Sequence, residues 1–269
     1  MTAKVIAACN AKGGTGKTTV ALNLSACLAA HLKKRVLAID LDPQGNFAVG
    51  MGVDPRQIKN TCFRLLLNDE PDISDYIINL RPNLDLIPNS LAAGMETQLA
   101  AKRNRERLLE IRLRPVLDKY DFIILDTPPA LDTPTINAMV AADELLIVID
   151  CGYYALYGLT ELMGTVASVQ RDFEKYDLVI RAVVNKFDNR QNLDREILTE
   201  VEAFFESLLL TTTIHKNIKL AESASAGKSI FEYNTTSSGY FDFMKLTKEL
   251  MEIYDRRKQT EAESSASRY

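Results

Sequence analysis

The chain has 269 residues, 46% of them hydrophobic, enough apolar content for one large buried core. Its formal net charge of −4, with an isoelectric point near 5.4, excludes the global positive field of a protein that binds nucleic acid through bulk charge. No apolar run approaches the ~20 residues that cross a bilayer. The first strand begins directly after the opening residues, so no signal peptide is expected. Cys9, Cys27, Cys62 and Cys151 form no C-x-x-C and read as buried thiols, and two histidines cannot build a metal cluster. Apolar runs at 5–9, 35–40, 84–88, 122–126, 145–150 and 179–185 read as strands. Helical periodicity fills 18–31, 97–119, 134–142, 158–175, 193–208 and 240–256. The strand runs are apolar throughout rather than alternating, as in strands covered on both faces, and β-α alternation implies a parallel sheet in an α/β fold.

Between the first strand and the first helix stand Lys12, Gly13, Gly14, Thr15, Gly16, Lys17, Thr18 and Thr19. A glycine-rich turn opening a helix leaves backbone N–H groups pointing inward, a nest for phosphate oxygens. Side chains at the three glycines would block that approach. Lys17 then reaches the β- and γ-phosphates, and the Thr18 hydroxyl ligates Mg2+. This is a P-loop with Ala11 where the first glycine would be and an added lysine, Lys12, at its start.

The second strand ends in Asp40, Leu41 and Asp42, followed by Pro43, Gln44, Gly45 and Asn46. Ligands of an open parallel sheet sit beyond the carboxyl ends of its strands. Asp42 is therefore expected beside the P-loop, where it can orient water or hold Mg2+ through water. A surface turn with helix-capping aspartates is the plainer alternative. The run 122–126 ends in Asp126, a Walker B pattern whose carboxylate holds the Mg2+ shell, with Pro128 and Pro129 pinning the next loop. The run 179–185 ends in Asn185, whose carboxamide matches the donor and acceptor of adenine but could equally serve backbone groups.

Together these blocks resemble the ParA/MinD group of deviant Walker ATPases, most of all its short Soj-like partition ATPases. The resemblance runs from Lys4 to about Tyr254 and includes the blocks 12–19, 40–46, 87–89, 120–129, 153–159 and 214–222. It implies a single P-loop NTPase domain over 1–257, with a mostly parallel twisted sheet and helices on both faces. The polar segment 258–269 reads as a frayed tail. By resemblance, Lys12 crosses a dimer interface to the partner's nucleotide, and Lys12, Lys17 and Asp42 carry hydrolysis. Residues 12–19 and Asp126 hold ATP; Thr18, Asp42 and Asp126 serve Mg2+; Asn185 and His215 fall where the family holds adenine. The chain departs from the group at Thr15, where Val is common, at Gly152 and Tyr157, where Glu is general, and at His215, where Pro is usual.

The resemblance also implies an ATP-bound homodimer that binds DNA non-specifically and a ParB-like site-specific DNA-binding partner that stimulates slow hydrolysis. A cytoplasmic, nucleoid-associated location and a task in plasmid or chromosome partition follow. Arg190, Lys216 and Lys219 fall where relatives contact phosphate backbones, although residues 181–228 hold as many acidic as basic side chains. Lys102, Arg103, Arg105, Arg107, Arg112 and Arg114 form a second basic run, either a DNA patch or a solvated face. Two rivals use the same switch: positioning a non-DNA cargo on the nucleoid, and a MinD-like membrane ATPase in division-site placement. The membrane form needs a basic amphipathic C-terminal helix. Here Lys245, Lys248, Arg256 and Arg257 are offset by Asp242, Glu249, Glu252 and Asp255, so a core-packing helix and no stable membrane association are expected. An electron donor of the nitrogenase iron-protein type would need paired cysteines at a dimer seam, which these positions do not resemble.

Overall fold

The computed structural model describes residues 2–90, 95–152 and 155–266. Its strands are β1 Lys4–Cys9, β2 Val36–Asp40, β3 Ile78–Arg81, β4 Leu84–Ile87, β5 Phe122–Asp126, β6 Glu144–Asp150 and β7 Val179–Asn185. They form one sheet in the order β3-β4-β2-β5-β1-β6-β7, parallel except for the β3–β4 hairpin. Among the described residues the α-helices are α1 Lys17–Ala30, α2 Asn46–Gly50, α3 Cys62–Leu67, α4 Met95–Ala101, α5 Leu108–Leu113 and α6 Thr133–Ala141. They continue with α7 Ala155–Asp172, α8 Asn192–Phe205, α9 Ile218–Ser225, α10 Ile230–Tyr233 and α11 Ser238–Ala266.

The strands alternate which core they feed. Val5, Ala7, Cys9, Leu37, Ile39, Ile123 and Leu125 face a cluster closed by α3 to α8. Ile6, Ala8, Val36, Ala38, Phe122 and Ile124 face a second cluster closed by α1, α2 and α9 to α11. With both faces covered, most positions inside the central strands are apolar, which is why these strands lack polar alternation. The four cysteines are buried and free, and burial pushes the Cys9 thiol up to about 12.

Three elements differ from expectation. The helix expected over 97–119 is broken: Asn104 adopts φ 54°, and short 3-10 turns follow at Arg105–Arg107 and Arg114–Val116, the second containing Pro115. The hairpin strand β3 is four residues long and half-exposed, so its sequence carries little periodic signal. Helix α11 continues to Ala266, through most of the segment read as a frayed tail; its Lys, Gln, Glu and Ala residues favour helix. Residues 267–269 lie outside the described residues.

The N-terminal edge of the sheet is closed by a buried ion cluster. Glu144, fully buried at the start of β6, accepts a hydrogen bond from the Tyr254 hydroxyl at 2.9 Å. Arg181 Nε lies 3.3 Å from the same oxygen, and Lys4 Nζ lies 3.9 Å from the other. Burial raises the Glu144 pKa, opposed by Arg181 and Lys4. These contacts tie α11 to β1, β6 and β7. Tyr254→Phe is expected to cost about 1–2 kcal/mol in urea unfolding, since it strips a hydrogen bond from a buried carboxyl while keeping the ring; an unchanged midpoint would show that α11 is held by apolar packing alone.

Candidate nucleotide site

The loop after β1 is shaped from its own backbone outward. Asn10 Nδ2 donates to the Val148 carbonyl at 2.7 Å, and its Oδ1 accepts from the Lys12 N–H at 2.9 Å. Gly14 and Gly16 have φ of 79° and 93°, a left-handed backbone that side chains resist. Gly16 is also crowded: a β-carbon there would collide with Asn185 Nδ2. Gly16 caps α1, and no side chain does so, leaving the first-turn N–H groups for a ligand. From outside, the end of β7 clamps the loop: Asn185 Nδ2 donates to the Thr15 carbonyl at 2.7 Å, and Lys186 Nζ donates to that of Gly14.

Strand register brings the acids together. Asp126 pairs with Ala8 on one side and Asp40 on the other, so both carboxyls end beside the P-loop. The oxygens of Asp40 accept the N–H groups of Asp42 at 3.0 Å and Phe47 at 3.2 Å. Burial still pushes its pKa well up, with the neighbouring Asp126 adding to the rise. Asp126 is fully buried and neither oxygen has a hydrogen-bond partner. Burial raises its pKa, and the Thr18 hydroxyl and the Lys17 ammonium oppose the rise. Lys17 is itself buried; its pKa falls chiefly through desolvation, and Asp126 and Asp42 counter that. Its Nζ donates to the Lys12 carbonyl at 3.3 Å. Asp42 is 7% exposed and accepts from the Gln44 N–H at 2.9 Å.

A cleft of about 560 Å3 opens over these groups. Gly14, Gly16, Lys17, Thr18, Thr19 and Asp42 are among the residues that line it. Its outer wall holds Val49, Gly50, Lys186, Ala224 and Ser225, which the motifs did not single out. A lysine directly after the strand-ending Asn185 was the available signal for Lys186; nothing local marked Ala224 or Ser225. An ammonium, a hydroxyl and an unpaired carboxylate beneath an uncapped helix end can accept an oxyanion together with a hard divalent cation.

Other expected site residues lie elsewhere. Lys12 does not line the cleft: its Nζ sits 3.1 Å from both oxygens of Asp150. A β-carbon at Gly13 would meet Pro129 at 3.7 Å, and the Thr15 hydroxyl is buried without a partner. Asn185, expected at adenine, spends its amide on the P-loop. His215, expected near the base, pairs its Nδ1 with Asp242 at 3.1 Å and does not line the cleft either. Arg190 is held by Asp188 at 2.7 Å and Lys219 by Glu222 at 2.7 Å, whereas Lys216 is exposed. In the 102–114 run, Lys102 meets Asp69, Arg105 meets Glu106, Arg107 meets Glu110, and Arg112 donates to the Asn68 carbonyl. Tyr153, Tyr154 and the side chain of Tyr157 lie outside the described residues.

Because the folded pKa of Asp126 lies above its unfolded value, the group favours folding at low pH. That contribution is lost as the pH rises through the folded value. Asp126→Asn is expected to stabilise the nucleotide-free protein by about 1–3 kcal/mol near neutral pH and to weaken the fall of stability with rising pH. Melting curves across pH that coincide with wild type would show that Asp126 is not the source.

Comparison with known proteins places the chain. A model of the AAA domain family matches residues 3–180. Sporulation initiation inhibitor protein Soj of Bacillus subtilis is 40% identical over 250 residues, covering 92% of this chain and 98% of that protein. Chromosome partitioning protein ParA of Myxococcus xanthus is 38% identical, covering 92% of this chain and 88% of that protein. The structure of septum site-determining protein MinD from Pyrococcus horikoshii, complexed with Mg-ADP, superposes with a TM-score of 0.75 at 27% identity, over 92% of this chain and 96% of that one. The lysine-first P-loop, the paired strand-end aspartates and these end-to-end matches agree: the chain belongs to the ParA/MinD family of deviant Walker P-loop ATPases.

Proposed function

We propose that this chain is an ATP-driven switch that pairs with a second copy when ATP is bound, binds DNA non-specifically in that state, and lets go after hydrolysis. The observation that carries the reading is the unpartnered Asp126 carboxylate beside a desolvated Lys17, under the uncapped end of α1. ATP with Mg2+ answers both charges. The P-loop N–H groups and Lys17 would take the β- and γ-phosphates, and Thr18, Asp126 and Asp42 would hold Mg2+. When bound, Mg2+ neutralises charge on the phosphate oxygens. Asp42 orients the attacking water. Lys12, outside the cleft of its own protomer, is supplied to the partner's nucleotide, which makes hydrolysis depend on pairing as an arginine finger in trans does.

The relatives named ParA support a role in partition of plasmid or chromosome DNA. A ParB-like site-specific DNA-binding protein is the expected stimulating partner, with the nucleoid as the working surface. No described helix is long and apolar enough to cross a membrane. Of the DNA candidates, Lys216 is exposed, while Arg190 and Lys219 must exchange Asp188 and Glu222 for phosphate.

Lys17→Ala is expected to abolish ATP binding in calorimetry. Asp42→Ala should keep ATP affinity, lose roughly a hundredfold or more of hydrolysis, and accumulate paired chains; wild-type turnover by that variant would remove Asp42 from its assigned role. Retention on plasmid DNA with ATP should fall most for Lys216→Glu and less for Arg190→Glu or Lys219→Glu, with a shallower salt dependence in each. Co-sedimentation with anionic liposomes in place of DNA retention would instead favour the membrane form.

A further inference from the structure

Lys12 is the one P-loop cation that points away from the cleft, and its surroundings explain why. Its backbone is fixed at both ends: the N–H donates to Asn10 Oδ1 at 2.9 Å, and the carbonyl accepts from Lys17 Nζ at 3.3 Å. The side chain therefore leaves the loop sideways, toward the end of β6. There Asp150 receives the ammonium on both carboxylate oxygens, each at 3.1 Å. The pair is shielded, with side-chain exposures of 35% for Lys12 and 20% for Asp150. Gly152 makes room for it: a β-carbon at that position would stand 2.7 Å from Lys12 Nζ and 3.4 Å from an Asp150 oxygen.

We propose that Asp150 is a positioning residue that latches Lys12 within its own protomer, so that two chains can pair over ATP only after each releases this ion pair. The inference rests on the assignment of Lys12 to the partner's nucleotide. An ammonium held by a carboxylate in cis is not free to meet a phosphate in trans, and the same charge cannot satisfy both at full strength. Pairing then competes with the latch and needs the triphosphate, whose charge outbids a single carboxylate. Gly152 acts as the licence for the latch, because any side chain there displaces the lysine tip. Asp150 also pairs in register with Asn185, the residue that clamps the P-loop from β7. The lysine's anchor and the cradle's clamp thus sit side by side on neighbouring strands.

Two variants open the latch by different means. Asp150→Asn removes the charge and keeps the shape; Gly152→Ala keeps the charge and intrudes on the ammonium. The first readout needs no pairing: amine labelling of Lys12 in the nucleotide-free protein, followed by mass spectrometry, with Lys216 as internal reference. Both variants should label faster at Lys12 than wild type. The second readout is sedimentation velocity with a non-cleavable ATP analogue and Mg2+. A partly shielded ion pair contributes a factor of about two to five, and two open per dimer, so the dimerisation constant should rise roughly four- to twenty-five-fold in each variant. Unchanged Lys12 labelling overturns the latch. So does faster labelling with an unchanged or weaker dimerisation constant, which would make Asp150 a support of the pair rather than its competitor. Absence of any wild-type dimer in the same titration separately overturns the pairing reading on which the inference stands.

Discussion

Three aspartates and one lysine share the buried ground where β1, β2 and β5 end, and their mismatch in charge governs the rest of the molecule. Burial disfavours every ionised carboxyl, and like charges close together disfavour it further. Asp40 is met by two backbone N–H groups and Asp42 by a third, whereas Asp126 has none. Lys17 stands as the near counter-charge, itself weakened by desolvation. A few ångströms away the uncapped N-terminus of α1 presents the opposite imbalance, backbone N–H groups without acceptors. A polyanion carrying a divalent cation relieves both at once, and neither part alone would. The site is complementary to a metal–phosphate complex because it is doubly incomplete without one.

The two edges of the sheet are built to opposite specifications. At the N-terminal edge Glu144 is matched by Tyr254, Arg181 and Lys4, and the long α11 is pinned there. The C-terminal edge is assembled from glycines in left-handed conformation and side chains bonded to backbone carbonyls across element boundaries. Asn10, Asn185 and Lys186 tie the phosphate loop to β6 and β7, so a shift at either strand end is felt by the cradle. A nucleotide switch needs this arrangement, since loops that answer to phosphate must be positioned by something that does not move.

Surface charge tells a quieter story. The basic run between Lys102 and Arg114 looks like an electropositive patch in one dimension, yet most of its members are paired with carboxylates or carbonyls nearby. The same is true of Arg190 and Lys219. Pairs so exposed contribute little to stability and are easily exchanged.

The identity of the phosphate site was legible in the chain because it depends on local chemistry. Glycines at 13, 14 and 16, a lysine and a threonine opening a helix, and aspartates ending apolar strands can serve few other purposes in that order. Six of the seven strands were equally plain, since burial on both faces demands unbroken apolar runs. The hairpin strand β3 and the wall of the cleft from α9 were not legible, because each is decided by neighbours distant in sequence. The sharpest divergence concerns Asn185 and Lys12. The carboxamide's chemistry suggested adenine for Asn185 and the family resemblance suggested a nucleotide for Lys12, while packing turned Asn185 onto the Thr15 carbonyl and Lys12 onto Asp150, 138 residues away. Residue type determines what a side chain is able to bond. Which partner it meets is set by strand register and by where a missing β-carbon leaves room.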